Sequence, residues 1–115
     1  MHSKELVTLA TDALEDLKAR EVRILDVSRL TSITDFMIIA SGTSDRHVRS
    51  IADRVIERAK QAGHPPLGVE GQEHGEWVLV DLQDVVVHIM QPRTRDFYKL
   101  ENLWDMDGSA GAASA

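Results

Sequence analysis

The chain has 115 residues, enough for one domain with a single modest core, and its 43% hydrophobic and 28% charged residues are ordinary for a soluble globular protein. Nineteen acidic residues against 13 basic ones give a formal net charge of -6, which argues against nonspecific binding to a phosphate backbone and suits a basic partner. With no cysteine, disulfides, thiolate metal sites and cysteine nucleophiles are excluded, and no apolar run approaches the roughly 20 residues of a membrane span.

The N-terminus MHSKELV lacks the basic-then-apolar pattern of a signal peptide, so a cytoplasmic location is expected. Over residues 3–19, Leu6, Ala10, Ala13, Leu14 and Leu17 share one helical face, with Ser3 as the expected N-cap. VRILDV (22–27) reads as a strand, SRLTSIT (28–34) as a loop or short edge, and DFMIIA (35–40) as a largely buried strand. A second helix is expected from about Asp45 to Ala62, with Val48, Ile51, Ala52, Val55, Ile56 and Ala59 inward and Gly63 as its stop.

His64-Pro65-Pro66 forbids helix and leads into a short extended piece, LGVEG (67–71). EWVLVDL (76–82) and DVVVHIM (84–90) read as a β-hairpin, and RTRDFYKLENLW (93–104) as a terminal helix after Pro92. The tail, residues 105–115, has no core-forming residues and is expected to be disordered. Residues 1–104 then form one domain. Its order α-β-β-α-β-β-β-α implies an α/β fold, a mixed sheet of about five strands with helices packed on it.

The stretch ASGTSDRHVRSIAD (40–53) brings a strand into a small-residue turn that opens a helix, as in many phosphate cradles. Ser44 as N-cap and Asp45 in the first turn account for the helix start on their own, and Asp45 would repel a phosphate. No lysine follows Gly42, so this is no P-loop, and capping is the preferred reading. His2, His47, His64, His74 and His88 show no metal-ligand spacing. Asp35, Asp81 and Asp84 stand at strand ends and the hairpin turn, where carboxylates bond amides more often than they catalyse. No catalytic, cofactor-binding or metal site is expected.

Alternation along the hairpin is more informative. Val78, Val80 and Leu82 share one face with Val85, Val87 and Ile89, and the other carries Trp77, Leu79, Asp81, Val86, His88 and Met90. If the aliphatic set packs on the helices, the mixed set meets either a partner, with Trp77 as anchor, or the C-terminal segment. Partner contact is preferred, and Tyr98 can extend the same patch. The acidic first helix is either a docking face for a basic partner or simply solvated, the latter being commoner.

ITDFMIIASGTSDRHVRSIAD (33–53), LGVEG (67–71), EWVLVDLQDVVVHIMQP (76–92) and RDFYKLENLW (95–104) together resemble the ribosomal silencing factor family, also called Iojap-like. The resemblance covers about residue 4 to residue 104; the GSAGAASA tail lies outside the pattern, and Gln83 stands where the family commonly has a turn glycine. It implies a nucleotidyltransferase-like mixed sheet without enzymatic activity. It also implies a translational repressor that binds the large ribosomal subunit through its fourteenth ribosomal protein and blocks small-subunit joining. A role in large-subunit assembly and homodimer formation belong to the same expectation; membrane and sequence-specific nucleic acid do not. The expected contact residues are Trp77, Leu79, Asp81, His88, Met90 and Tyr98. The alternative is a nucleotidyltransferase-like enzyme or nucleotide-binding domain using the Gly42 loop; the enzyme would want a second nearby carboxylate that DRHVRS does not supply.

Overall fold

A computed structural model describes residues 2–104, with side chains through residue 102; the expected disordered tail lies outside the described residues. Helix α1 spans Ser3–Asp16 and buries Leu6, Ala10, Ala13 and Leu14, the face the periodicity marks. Its cap is displaced by one residue from the expected Ser3. His2 is the N-cap and its N–H donates to Glu5 Oε1 at 2.9 Å, while the Ser3 hydroxyl is drawn across to Asp35 Oδ2 at 2.6 Å. The helix also stops earlier than expected. Lys18 adopts φ 59°, and Lys18 N–H and Ala19 N–H donate to the carbonyls of Glu15 and Leu14, a Schellman closure built without glycine.

Strand β1 (Arg20–Asp26) pairs antiparallel with β2 (Phe36–Ser41), with a register shift between Arg20 and Arg23 where Glu21 turns to φ 48°. Helix α2 (Asp45–Gln61) starts at Ser44, whose Oγ accepts from His47 N–H at 3.1 Å, as the sequence leads one to expect. It ends at Gly63, φ 77°, with Gly63 N–H and His64 N–H donating to Lys60 and Ala59 carbonyls.

Strands β3 (Gly68–Glu70), β4 (Trp77–Asp81) and β5 (Val85–Met90) complete a five-stranded sheet of order β1-β2-β5-β4-β3. Only β2 and β5 are parallel, so the sheet is mixed, as expected. Gln83 takes φ 77° at the hairpin turn, which explains why a glycine suits that position, and its N–H donates to Asp81 Oδ1 at 2.8 Å.

Both long helices lie on one face of the sheet. Their inward residues meet Ile38 and Ala40 of β2 and all six aliphatic residues of the hairpin, Val78, Val80, Leu82, Val85, Val87 and Ile89, every one fully buried. Each such side chain contributes on the order of 1.5–3 kcal/mol, so this layer carries most of the fold's stability. Asp16 at the end of α1 pairs with Arg54 and Arg58 of α2 and fixes the lateral fit of the two helices.

The C-terminal segment departs from the single helix expected over 93–104. It forms α3 (Pro92–Tyr98) and α4 (Leu100–Trp104), broken at Lys99, which adopts φ 48°. Left-handed Lys99 turns the chain so that Leu100 packs against a second, smaller core of Leu25, Val27, Met37, Ile39 and Met90 on the helix-free face.

Candidate functional site

The strand register lays out the second face in rows. Ser41, Met90 and Trp77 stand side by side across β2, β5 and β4; Ile39, His88 and Leu79 form the next row; Met37, Val86 and Asp81 the third. Antiparallel partners point the same way, so Glu70 joins the row of Leu79 on β3. The face assignment drawn from alternation therefore holds for the whole hairpin.

Exposure divides the expected contact residues. Met90 is fully buried and His88 only 5% exposed, which corrects the expectation that they stand open. The physical reason is the C-terminal segment. It was the competing reading of this face, and it covers the first row: Leu100 packs on Met90's cluster, and the Tyr98 ring lies 5.1 Å from the Trp77 ring. Beyond that cover, Leu79, Asp81 and Val86 remain half-buried, as does Trp77, and Tyr98 is 55% exposed. The C-terminal segment thus covers one end of the face and leaves the other half-open.

His88 acts from below. Trp77 Nε1–H donates to His88 Nδ1 at 2.9 Å, which requires a neutral imidazole with its proton on Nε2. Burial pushes the His88 pKa down to about 4, in keeping with a neutral ring. The imidazole orients the indole from beneath and is itself almost wholly covered.

One aromatic was missed in the sequence. Phe97 is 77% exposed and meets Tyr98 edge-on at 4.9 Å, extending a run of rings from His88 through Trp77 and Tyr98 into solvent. Treating 93–104 as one helix gave Phe97 no defined direction; the break at Lys99 sets it.

The Gly42 loop is closed by its own chain. Gly42 N–H donates to Met90 O at 3.0 Å, Thr43 N–H to His47 Nδ1 at 2.8 Å, and His47 N–H to Ser44 Oγ. A phosphate would have to displace these partners one by one. A Cβ on Gly42 would lie 2.8 Å from Val48 Cγ2, so the glycine serves close packing of loop on helix. His47 Nε2 reaches Leu17 O at 2.6 Å, so one imidazole joins the loop to the end of α1. His47→Ala should cost about 1–3 kcal/mol in urea unfolding by stranding those groups. A cost below about 0.5 kcal/mol would show the bridge to be dispensable.

Among the described residues, no group of three or more His, Asp or Glu side chains is placed to hold a metal ion, and no helix is long and apolar enough to cross a membrane. The cleft between β1 and α3 is lined by Glu21, Asp96 and Glu101 against Arg23, Arg95 and Lys99, charges that balance one another.

The family described as "Ribosomal silencing factor during starvation" matches residues 1–114, ten residues beyond the end of the resemblance read from the sequence. The chain belongs to the ribosomal silencing factor family. "Ribosomal silencing factor RsfS" of Chromobacterium violaceum is 49% identical over 104 residues, covering 90% of this chain and 85% of its own. A crystal structure of a protein from the same organism superposes with a TM-score of 0.90 at 46% identity, over 100% of this chain and 96% of that one. More distantly, the mouse "Mitochondrial assembly of ribosomal large subunit protein 1" is 30% identical over 103 residues, 87% of this chain but only 45% of the mouse protein. In this family member, then, the mixed sheet is the family's fold.

Proposed function

We propose that this chain is a translational repressor that docks on the large ribosomal subunit through its fourteenth ribosomal protein and keeps the small subunit from joining. Family membership and the printed names of its relatives support a role in silencing or assembly of ribosomes. The observation that carries the docking face is the half-open strip of Trp77, Leu79, Asp81 and Val86, edged by Tyr98 and Phe97 on a sheet face that no long helix covers. Half-exposed aromatics at the lip of a rigid sheet are the residue types that anchor interfaces. Asp81 and Glu70 lie on the same strip, so a basic protein surface is the fitting partner, and the association should weaken as salt rises.

The mechanism needs no covalent chemistry. A docked domain burying about 1,200–2,000 Å² in total binds stably, and its bulk then occupies the joining surface. The protein would work in the cytoplasm, with a second contribution to large-subunit assembly, and self-association would be a separate equilibrium. The test is subunit joining on sucrose gradients: added protein should move material from the joined-ribosome peak into free subunits. An unchanged joined peak at saturating protein would sink the proposal.

Phe97 gives a surface-only probe of the same face. Because its side chain is mostly in solvent, Phe97→Ser should leave the melting temperature unchanged and weaken binding to isolated large subunits by about tenfold. Wild-type affinity in that variant would place the edge of the interface inside Tyr98.

A further inference from the structure

Arg95 is 8% exposed, and its guanidinium joins elements far apart in sequence. Nε donates to Glu101 Oε2 of α4 at 3.0 Å; one Nη donates to the carbonyl of Glu21 in the β1 bulge at 2.7 Å and to Ser41 Oγ at the end of β2 at 3.0 Å. A buried ion pair of this kind is seldom kept for stability, since apolar side chains of the same volume commonly serve a core as well. What it does supply is a single geometry, because a guanidinium fork satisfied on three sides fits in one place only. Helices α3 and α4 are seven and five residues long, too short to hold themselves, and among the described side chains it is Leu100 that packs on the second core.

The geometry points to Arg95 as a positioning residue of the docking face: by clamping α3 to β1, β2 and α4 it fixes where Tyr98 and Phe97 stand beside Trp77. Arg95 lies on α3 one turn before Tyr98 and Lys99, and Lys99 N–H donates to the Arg95 carbonyl at 2.8 Å, so the turn that aims the aromatics is built directly on the clamped residue. Arg95 need not touch the partner. It sets the orientation of the rings that would, and in this it rests on the docking proposal above.

Two variants test it in the full chain, Arg95→Met and Glu101→Gln, with Trp77→Ala beside them. Both clamp variants should weaken binding to isolated large subunits by about tenfold, because the aromatic edge no longer stands ready and must be ordered on binding. Hydrogen exchange should speed up at the Lys99 and Asn102 amides, and the Tyr98 ring resonances should lose the shift that the neighbouring indole imposes. Amides of α2 should keep their wild-type protection. A role in overall stability alone would alter unfolding without moving the Tyr98 resonances of the folded protein. If Trp77→Ala abolishes docking while both clamp variants bind as wild type with unshifted Tyr98 resonances, the inference on Arg95 is overturned and the docking face stands. If Trp77→Ala itself binds as wild type, the face is wrong and the inference falls with it.

Discussion

Trp77→Ala should weaken binding to large ribosomal subunits by roughly a hundredfold and remove the block on subunit joining. The indole sits where the covered and open parts of the sheet face meet, with Tyr98 against its ring and His88 beneath its N–H. Truncation removes the largest side chain of the strip and the surface on which Tyr98 rests. It also leaves His88 Nδ1 buried without its donor, at a stability cost of about 1–3 kcal/mol. The protein should still fold, because Val78 and Val80 on the other side of β4 remain in the helix-side core. Trp77→Phe separates the two effects. It keeps a ring for Tyr98 but has no N–H, so most of the docking should survive while the stability loss remains. Binding equal to wild type in Trp77→Ala, measured by co-sedimentation with large subunits, would reject this strip as the docking surface.

Acid should destabilise the fold through His88. Burial holds its pKa near 4 in the folded protein, against the ordinary 6.5 of an exposed histidine. Between those values the unfolded chain binds a proton that the folded chain refuses, so stability is full above pH 6.5 and falls as pH drops toward 4. The whole shift corresponds to about 3 kcal/mol. His88→Gln can still accept from the Trp77 indole but does not titrate. Urea unfolding at pH 7 and pH 4.5 should show a markedly smaller loss in the variant than in wild type. Equal losses would mean that other groups account for the acid sensitivity. Protonation would also end the acceptor role of Nδ1, so in the folded protein the indole should loosen only as pH falls through about 4.

Much of this fold was legible because its signals are local. Ser44, Asp45 and Gly63 bound α2 through capping chemistry that needs no tertiary partner. Alternation sorted the hairpin correctly between faces, since a strand's pleat leaves only two choices. Where local rules misled, a distant group had intervened. Ser3 was lost as a cap because Asp35, across the fold, takes its hydroxyl. The terminal helix broke because a left-handed Lys99 lets Leu100 reach the second core, a gain that outweighs the local cost of the turn.

The candidate site shows the same division more sharply. Residue types and spacing picked out Trp77 and its row but could not say which members remain accessible. That depends on how the C-terminal helices lie over the sheet, and their position depends on Arg95 and its acceptors in β1, β2 and α4. The sequence by itself therefore determined the α/β class, the family and the two faces of the hairpin, all of which follow from periodicity and from long ordered strings. Only the tertiary structure decided that Met90 and His88 are covered, that Phe97 is open and that Arg95 is buried. Exposure is a property of what packs on top, and here the covering residues come from a different part of the chain.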